Sequence, residues 1–69
     1  MTDSALLRAA IRSSGYKMSY IAEKLGITPQ GLYKKIENRS EFKASEILIL
    51  TKVLGLSSKE RESIFFAAR

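Results

Sequence analysis

The stretch AEKLGITPQGLYKKI, residues 22–36, places Gly26 and Pro29 inside what otherwise reads as a helical pattern. Relative to Ala, a helix interior loses about 1 kcal/mol at Gly and about 3 kcal/mol at Pro. One continuous helix is therefore excluded. The spacing predicts two short helices that meet at a sharp turn. Gly26 supplies the positive φ that lets the chain reverse, and Ala22 is small where the helices must approach closely. Ile27 plugs the corner. Thr28 is the N-cap of the second helix, and Pro29 takes its first position, where a missing N–H removes no hydrogen bond.

The same reading extends in both directions and gives an all-α, compact five-helix chain of 69 residues. The helices are expected at about 4–14, 18–25, 29–38, 44–54 and 58–67. The first follows Asp3 or Ser4 as N-cap, carries Leu7, Ala10, Ile11 and Ser14 on one face, and stops at Gly15. Ile21, Ala22 and Leu25 line the second, and Leu32 and Ile36 the third. ENRSEF reads as a loop with Phe42 returning to the core. In EILILTKVLG, apolar residues cover most of the circumference, which predicts a central buried helix ended by Gly55. Ser57 and Glu60 form a capping box before the last helix, which closes on Ile64, Phe65 and Phe66. No alternation, repeat or linker interrupts this pattern, and residues 1–69 are read as one domain.

Chemistry is narrowed by what is missing. The sequence has no Cys and no His. Disulfides, Ser-His-Asp and Cys-His catalysis and the usual transition-metal ligands are thereby removed. So short a chain also leaves little room for a pocket of roughly 300 Å³. The expectation is a non-enzyme without metal or cofactor. No apolar run approaches the roughly 18 residues of a membrane span, and MTDSALLRAA lacks the basic start of a signal peptide. Twelve bases against seven acids give a formal charge of +5. The excess is denser in residues 24–43, where Lys24, Lys34, Lys35, Arg39 and Lys43 face Glu37 and Glu41. Such a balance suits a polyanion. It also suits simple solubility, just as the turn suits either a DNA-binding helix-turn-helix or an ordinary helical corner.

The residues IAEKLGI (Ile21 to Ile27), the Thr-Pro start of the next helix and LYKKIENRSEF (Leu32 to Phe42) resemble the Cro and phage-repressor helix-turn-helix proteins of the XRE family. EILILTKVLGLSSKERESIFF is similar to their downstream helices, so the resemblance covers about residues 5–66. It implies a lambda-repressor-like fold with the helix-turn-helix at helices two and three. It further implies a sequence-specific, double-stranded DNA-binding repressor in the cytoplasm of a bacterial host, with the third helix in the major groove.

Carried over residue by residue, the base-reading positions fall on Pro29, Gln30, Tyr33 and Lys34. Gln30 can offer a donor–acceptor pair to adenine, Lys34 can donate to guanine, and Tyr33 can touch a thymine methyl or a phosphate. Lys17, Thr28, Gly31, Lys35, Asn38, Arg39 and Lys43 fall along the sugar-phosphate backbone. Each has a plainer explanation as well: a solvated first turn for Gln30, a lid on the core for Tyr33, a charged face for the lysines.

Two positions depart from the family. Met18 stands where a phosphate-binding Gln is common, and Pro29 replaces a polar base reader. These departures keep open a protein that modulates a partner repressor by direct binding. A third reading, a toxin-neutralising partner, lacks the extra binding segment such proteins usually carry. A domain of this size covers one half-site, so two copies on a pseudo-palindrome are expected. Ile64, Phe65 and Phe66 are the candidate self-association residues, with at least one of them exposed.

Overall fold

The computed structural model describes residues 1–66. Five helices run in the order α1 (Ser4–Ser14), α2 (Met18–Leu25), α3 (Pro29–Ile36), α4 (Ala44–Leu54) and α5 (Ser58–Phe65). There is no strand among the described residues. None of these helices is long and apolar enough to cross a membrane.

Local chemistry sets most of the boundaries. Asp3 accepts from the Leu6 N–H to cap α1, Thr28 accepts from the Gly31 N–H to cap α3, and Ser57 accepts from the Glu60 N–H to cap α5. Gly15, Gly26 and Gly55 take left-handed conformations after α1, α2 and α4. At α4 half of a capping box is present: the Glu46 carboxylate accepts from the Lys43 N–H at 2.8 Å.

Apolar side chains from all five helices meet in one core. Leu7 and Ile11 come from α1, Ile21, Ala22 and Leu25 from α2, and Leu32 and Ile36 from α3. Leu50 of α4 and Ile64 and Phe65 of α5 complete it. Phe42 returns from the α3–α4 loop and meets the Phe65 ring edge-on, with centroids 5.4 Å apart. The radius of gyration is 10.7 Å, against about 11 Å for a compact chain of this length.

Three expectations change. Helix α3 ends at Ile36 rather than at residue 38. Asn38 turns left-handed (φ 65°), its N–H reaches the Lys35 carbonyl, and the Arg39 N–H reaches the Lys34 carbonyl at 2.8 Å. That is a Schellman end with Asn in the place usually held by Gly. Helix α4 is not buried all round. Leu50 is fully enclosed, but Leu48 is 54% exposed, because α4 rests on α2 and α1 and no described element covers its outer side. Helix α5 ends at Phe65, and residue 67, expected within it, lies outside the described residues.

Candidate nucleic-acid interface

The turn between α2 and α3 consists of Gly26, Ile27 and Thr28. Gly26 adopts φ 73°. Its N–H bonds the Glu23 carbonyl and the Ile27 N–H bonds the Ala22 carbonyl, both at 3.0 Å. These paired bonds close the last turn of α2 and redirect the chain. Ile27 packs against the core, which fixes the angle at which the next helix leaves. Thr28 is extended, and its hydroxyl oxygen accepts from the Gly31 N–H at 3.0 Å. Pro29 follows at the first helical position. The Gln30 N–H, one position later, has no intrahelical carbonyl to meet.

Helix α3 buries Leu32 and Ile36 against α2 and α1. Pro29, Gln30, Tyr33 and Lys34 are all exposed, and Tyr33 shows 44% of its surface to solvent. Four side chains expected to read bases therefore share the open side of one helix. Thr28 and Lys17 are exposed at the starts of α3 and α2, and Lys43 is exposed at the head of α4. Met18 is half-buried against the core, so the first residue of α2 serves packing.

Gly31 has an ordinary helical conformation. A Cβ there would lie 3.3 Å from the Thr28 hydroxyl oxygen, so its smallness also protects the N-cap.

Other expected backbone contacts are occupied within the protein. The Lys35 ammonium lies 3.2 Å from Glu46 and 3.0 Å from the Glu41 carbonyl. Its side chain is only 13% exposed. Asn38 directs its amide at the backbone of Thr2, donating to the carbonyl at 2.8 Å and accepting from the N–H at 3.0 Å. Arg39 pairs with Glu37 at 3.3 Å, and the other oxygen of that carboxylate lies 3.6 Å from Arg8. Exposed pairs of this kind contribute little to stability, but they hold the Arg39 guanidinium beside a carboxylate. Ile64 and Phe65 are buried in the core and are not on the surface, while Phe66 is 56% exposed.

The residues overlooked in the sequence are Tyr16 and Tyr20. Their rings stack with centroids 4.8 Å apart, and the Lys24 ammonium sits 5.3 Å from the Tyr20 centroid. Tyr20 and Lys24 are i, i+4 neighbours on α2, whereas Tyr16 lies before the helix and reaches Tyr20 only through the path of the α1–α2 turn. No cluster of acidic side chains able to hold a metal occurs among the described residues.

A turn of this geometry beside an open helix face is the arrangement through which helix-turn-helix proteins meet DNA. A family model described as bacterial regulatory protein, Fis family, matches residues 1–38, which span α1, α2, α3 and the Asn38 end of α3. No curated protein and no solved structure matches the chain. The chain belongs to the Fis family of bacterial regulatory proteins, and its helix-turn-helix is that of a DNA-binding regulator.

Proposed function

We propose that this chain is a sequence-specific transcriptional repressor of Cro-like, phage or prophage type, with residues 1–69 acting as one DNA-binding domain. The observation that carries this reading is the shared exposure of Gln30, Tyr33 and Lys34 on a helix whose opposite side is locked into the core. The family match supports DNA binding, and the five-helix order supports the Cro-like form. Helix α3 enters the major groove, Gln30 and Lys34 bond base edges, and Tyr33 and Pro29 make apolar contact. Thr28, Lys17 and Lys43 hold phosphates, while Gly31 lets the helix backbone come close. Arg39 reaches a phosphate only by leaving Glu37. Asn38 and Lys35 are left out of the interface because their polar atoms are already bonded.

Two copies on a pseudo-palindromic operator fit a domain that covers one half-site. Leu48 and Phe66, which stand exposed beside Phe42 and Ile47, are the self-association surface in this reading.

The test is selection of binding sites from a random duplex library at low salt, with Gln30→Ala beside the unaltered protein. An enriched palindrome that loses its preference at one position in the variant is the expected outcome. If the folded protein enriches nothing, the second reading takes over, a modulator that grips a partner repressor. Met18 favours that alternative, since it packs inward and offers no hydrogen bond to a phosphate.

A further inference from the structure

A lysine on the open side of a helix keeps its ammonium in water and its stem along the surface. Lys35 does the opposite. Its ammonium is enclosed by the Glu46 carboxylate at 3.2 Å and the Glu41 carbonyl at 3.0 Å, with the Phe42 ring centroid 6.0 Å away. The Glu46 side chain is 8% exposed, and the same oxygen that meets Lys35 also accepts the Lys43 N–H at 2.8 Å. One carboxylate thus joins the last turn of α3, the α3–α4 loop and the first turn of α4.

The two helices joined in this way share no broad packed face. Helix α3 rests on α2 and α1, and so does α4. Apolar contacts such as those of Leu32 and Ile36 are non-directional and tolerate small rotations. A hydrogen-bonded ion pair shielded from water is directional, and its members cannot separate without leaving a buried charge unpaired. We infer that Lys35 is a positioning residue. Through Glu46 it fixes the tilt of α3 on α2, and with it the angle at which Gln30, Tyr33 and Lys34 meet base edges. It is not a phosphate ligand. This rests on the DNA-reading function proposed above.

The two roles for Lys35 differ in salt dependence. Loss of a phosphate contact lowers the slope of log K against log salt by about 0.9. Loss of a positioning residue leaves that slope alone and flattens base preference. The experiment uses the full chain as wild type, Lys35→Met, and the paired Lys35→Met/Glu46→Leu. Each is titrated with the selected duplex and a scrambled duplex over a salt series, and each is melted by circular dichroism. The paired variant replaces the ion pair with apolar side chains and so removes the unpaired Glu46 that endangers the fold of the single variant.

Expected is a folded paired variant that melts a few degrees below wild type, because Glu46→Leu also removes the acceptor of the Lys43 N–H. Its salt slope should be unchanged, and its selected-to-scrambled affinity ratio at least tenfold lower than that of the unaltered protein. A slope reduced by about one in either variant would assign Lys35 to a phosphate and overturn the inference. A wild-type affinity ratio in the folded paired variant would overturn it too. If the unaltered protein itself does not distinguish the two duplexes, the DNA-reading function has failed and the inference goes with it. That outcome is read from the wild type alone.

Discussion

Asn38 clamps the backbone of Thr2 with both ends of its amide, donating at 2.8 Å and accepting at 3.0 Å, while its own backbone sits at φ 65°. One residue therefore ends α3 with its backbone and ties down the segment before α1 with its side chain. The Ser4 hydroxyl reinforces the tie by donating to the Ile36 carbonyl. The two roles of Asn38 separate by substitution. Asn38→Gly keeps the left-handed turn and loses the clamp, which lowers stability by about 1–2 kcal/mol for two part-buried hydrogen bonds. Asn38→Ala also strains the backbone, by about 1 kcal/mol more. Urea denaturation should rank wild type above Gly and Gly above Ala. Equal stability of wild type and the Gly variant would show that the clamp contributes nothing.

Gly26 and Gly31 should respond to alanine in different ways. A Cβ on Gly26 meets nothing within 4 Å, so the penalty of Gly26→Ala is the left-handed backbone alone, about 1 kcal/mol. Gly31→Ala gains helix propensity and crowds the Thr28 hydroxyl, so its net effect on stability stays within about 1 kcal/mol. Its effect on DNA is larger, at least tenfold weaker binding in gel-shift titration, because the added methyl stands on the face proposed to meet the duplex. Wild-type affinity in a folded Gly31→Ala variant would remove Gly31 from the interface.

Thr28 carries the N-cap of α3, so Thr28→Ala should lose about 1 kcal/mol in thermal or urea unfolding. Thr28→Ser keeps the accepting oxygen and should stay near wild type. If binding to the selected duplex follows the hydroxyl and not the methyl group, Ser retains affinity and Ala does not. Loss of affinity in Ser as well as in Ala would mean that Thr28 touches DNA through its methyl group.

Phe65 and Phe66 are neighbours in sequence with opposite surroundings, the first in the core and the second 56% exposed. Phe65→Ala should destabilise by about 3–5 kcal/mol. Phe66→Ser should leave the melting temperature nearly unchanged and shift sedimentation toward monomer. An unchanged sedimentation profile in Phe66→Ser would show that self-association, if present, uses another surface.

The turn was legible in the sequence because Gly26, Thr28 and Pro29 each act through local backbone geometry, and those preferences act over three or four residues. The exposed side of α3 followed from the same periodicity that buries Leu32 and Ile36. What was not legible depends on contacts between distant segments. Nothing near Lys35 in the chain announces that Glu46 will fold over it, and nothing near Asn38 announces Thr2. Both residues read as surface polar groups until α4 and the N-terminal segment are placed. Helix α4 misled for a related reason. Its apolar composition suggests complete enclosure, yet five short helices offer it neighbours on one side only, and Leu48 is left in solvent.

The Asp3 N–H donates to the Ile64 carbonyl at 2.7 Å, joining the entry to α1 with α5. Every other helix lies inside the loop that this bond closes. Contacts within α2, the turn and α3 close short loops, whereas pairing residues 3 and 64 closes nearly the whole chain at a larger cost in entropy. The helix-turn-helix can therefore assemble before the ends of the chain meet. Exchange of the Asp3 amide should report the opening of that junction between the two ends of the fold, by local fraying or by wider unfolding.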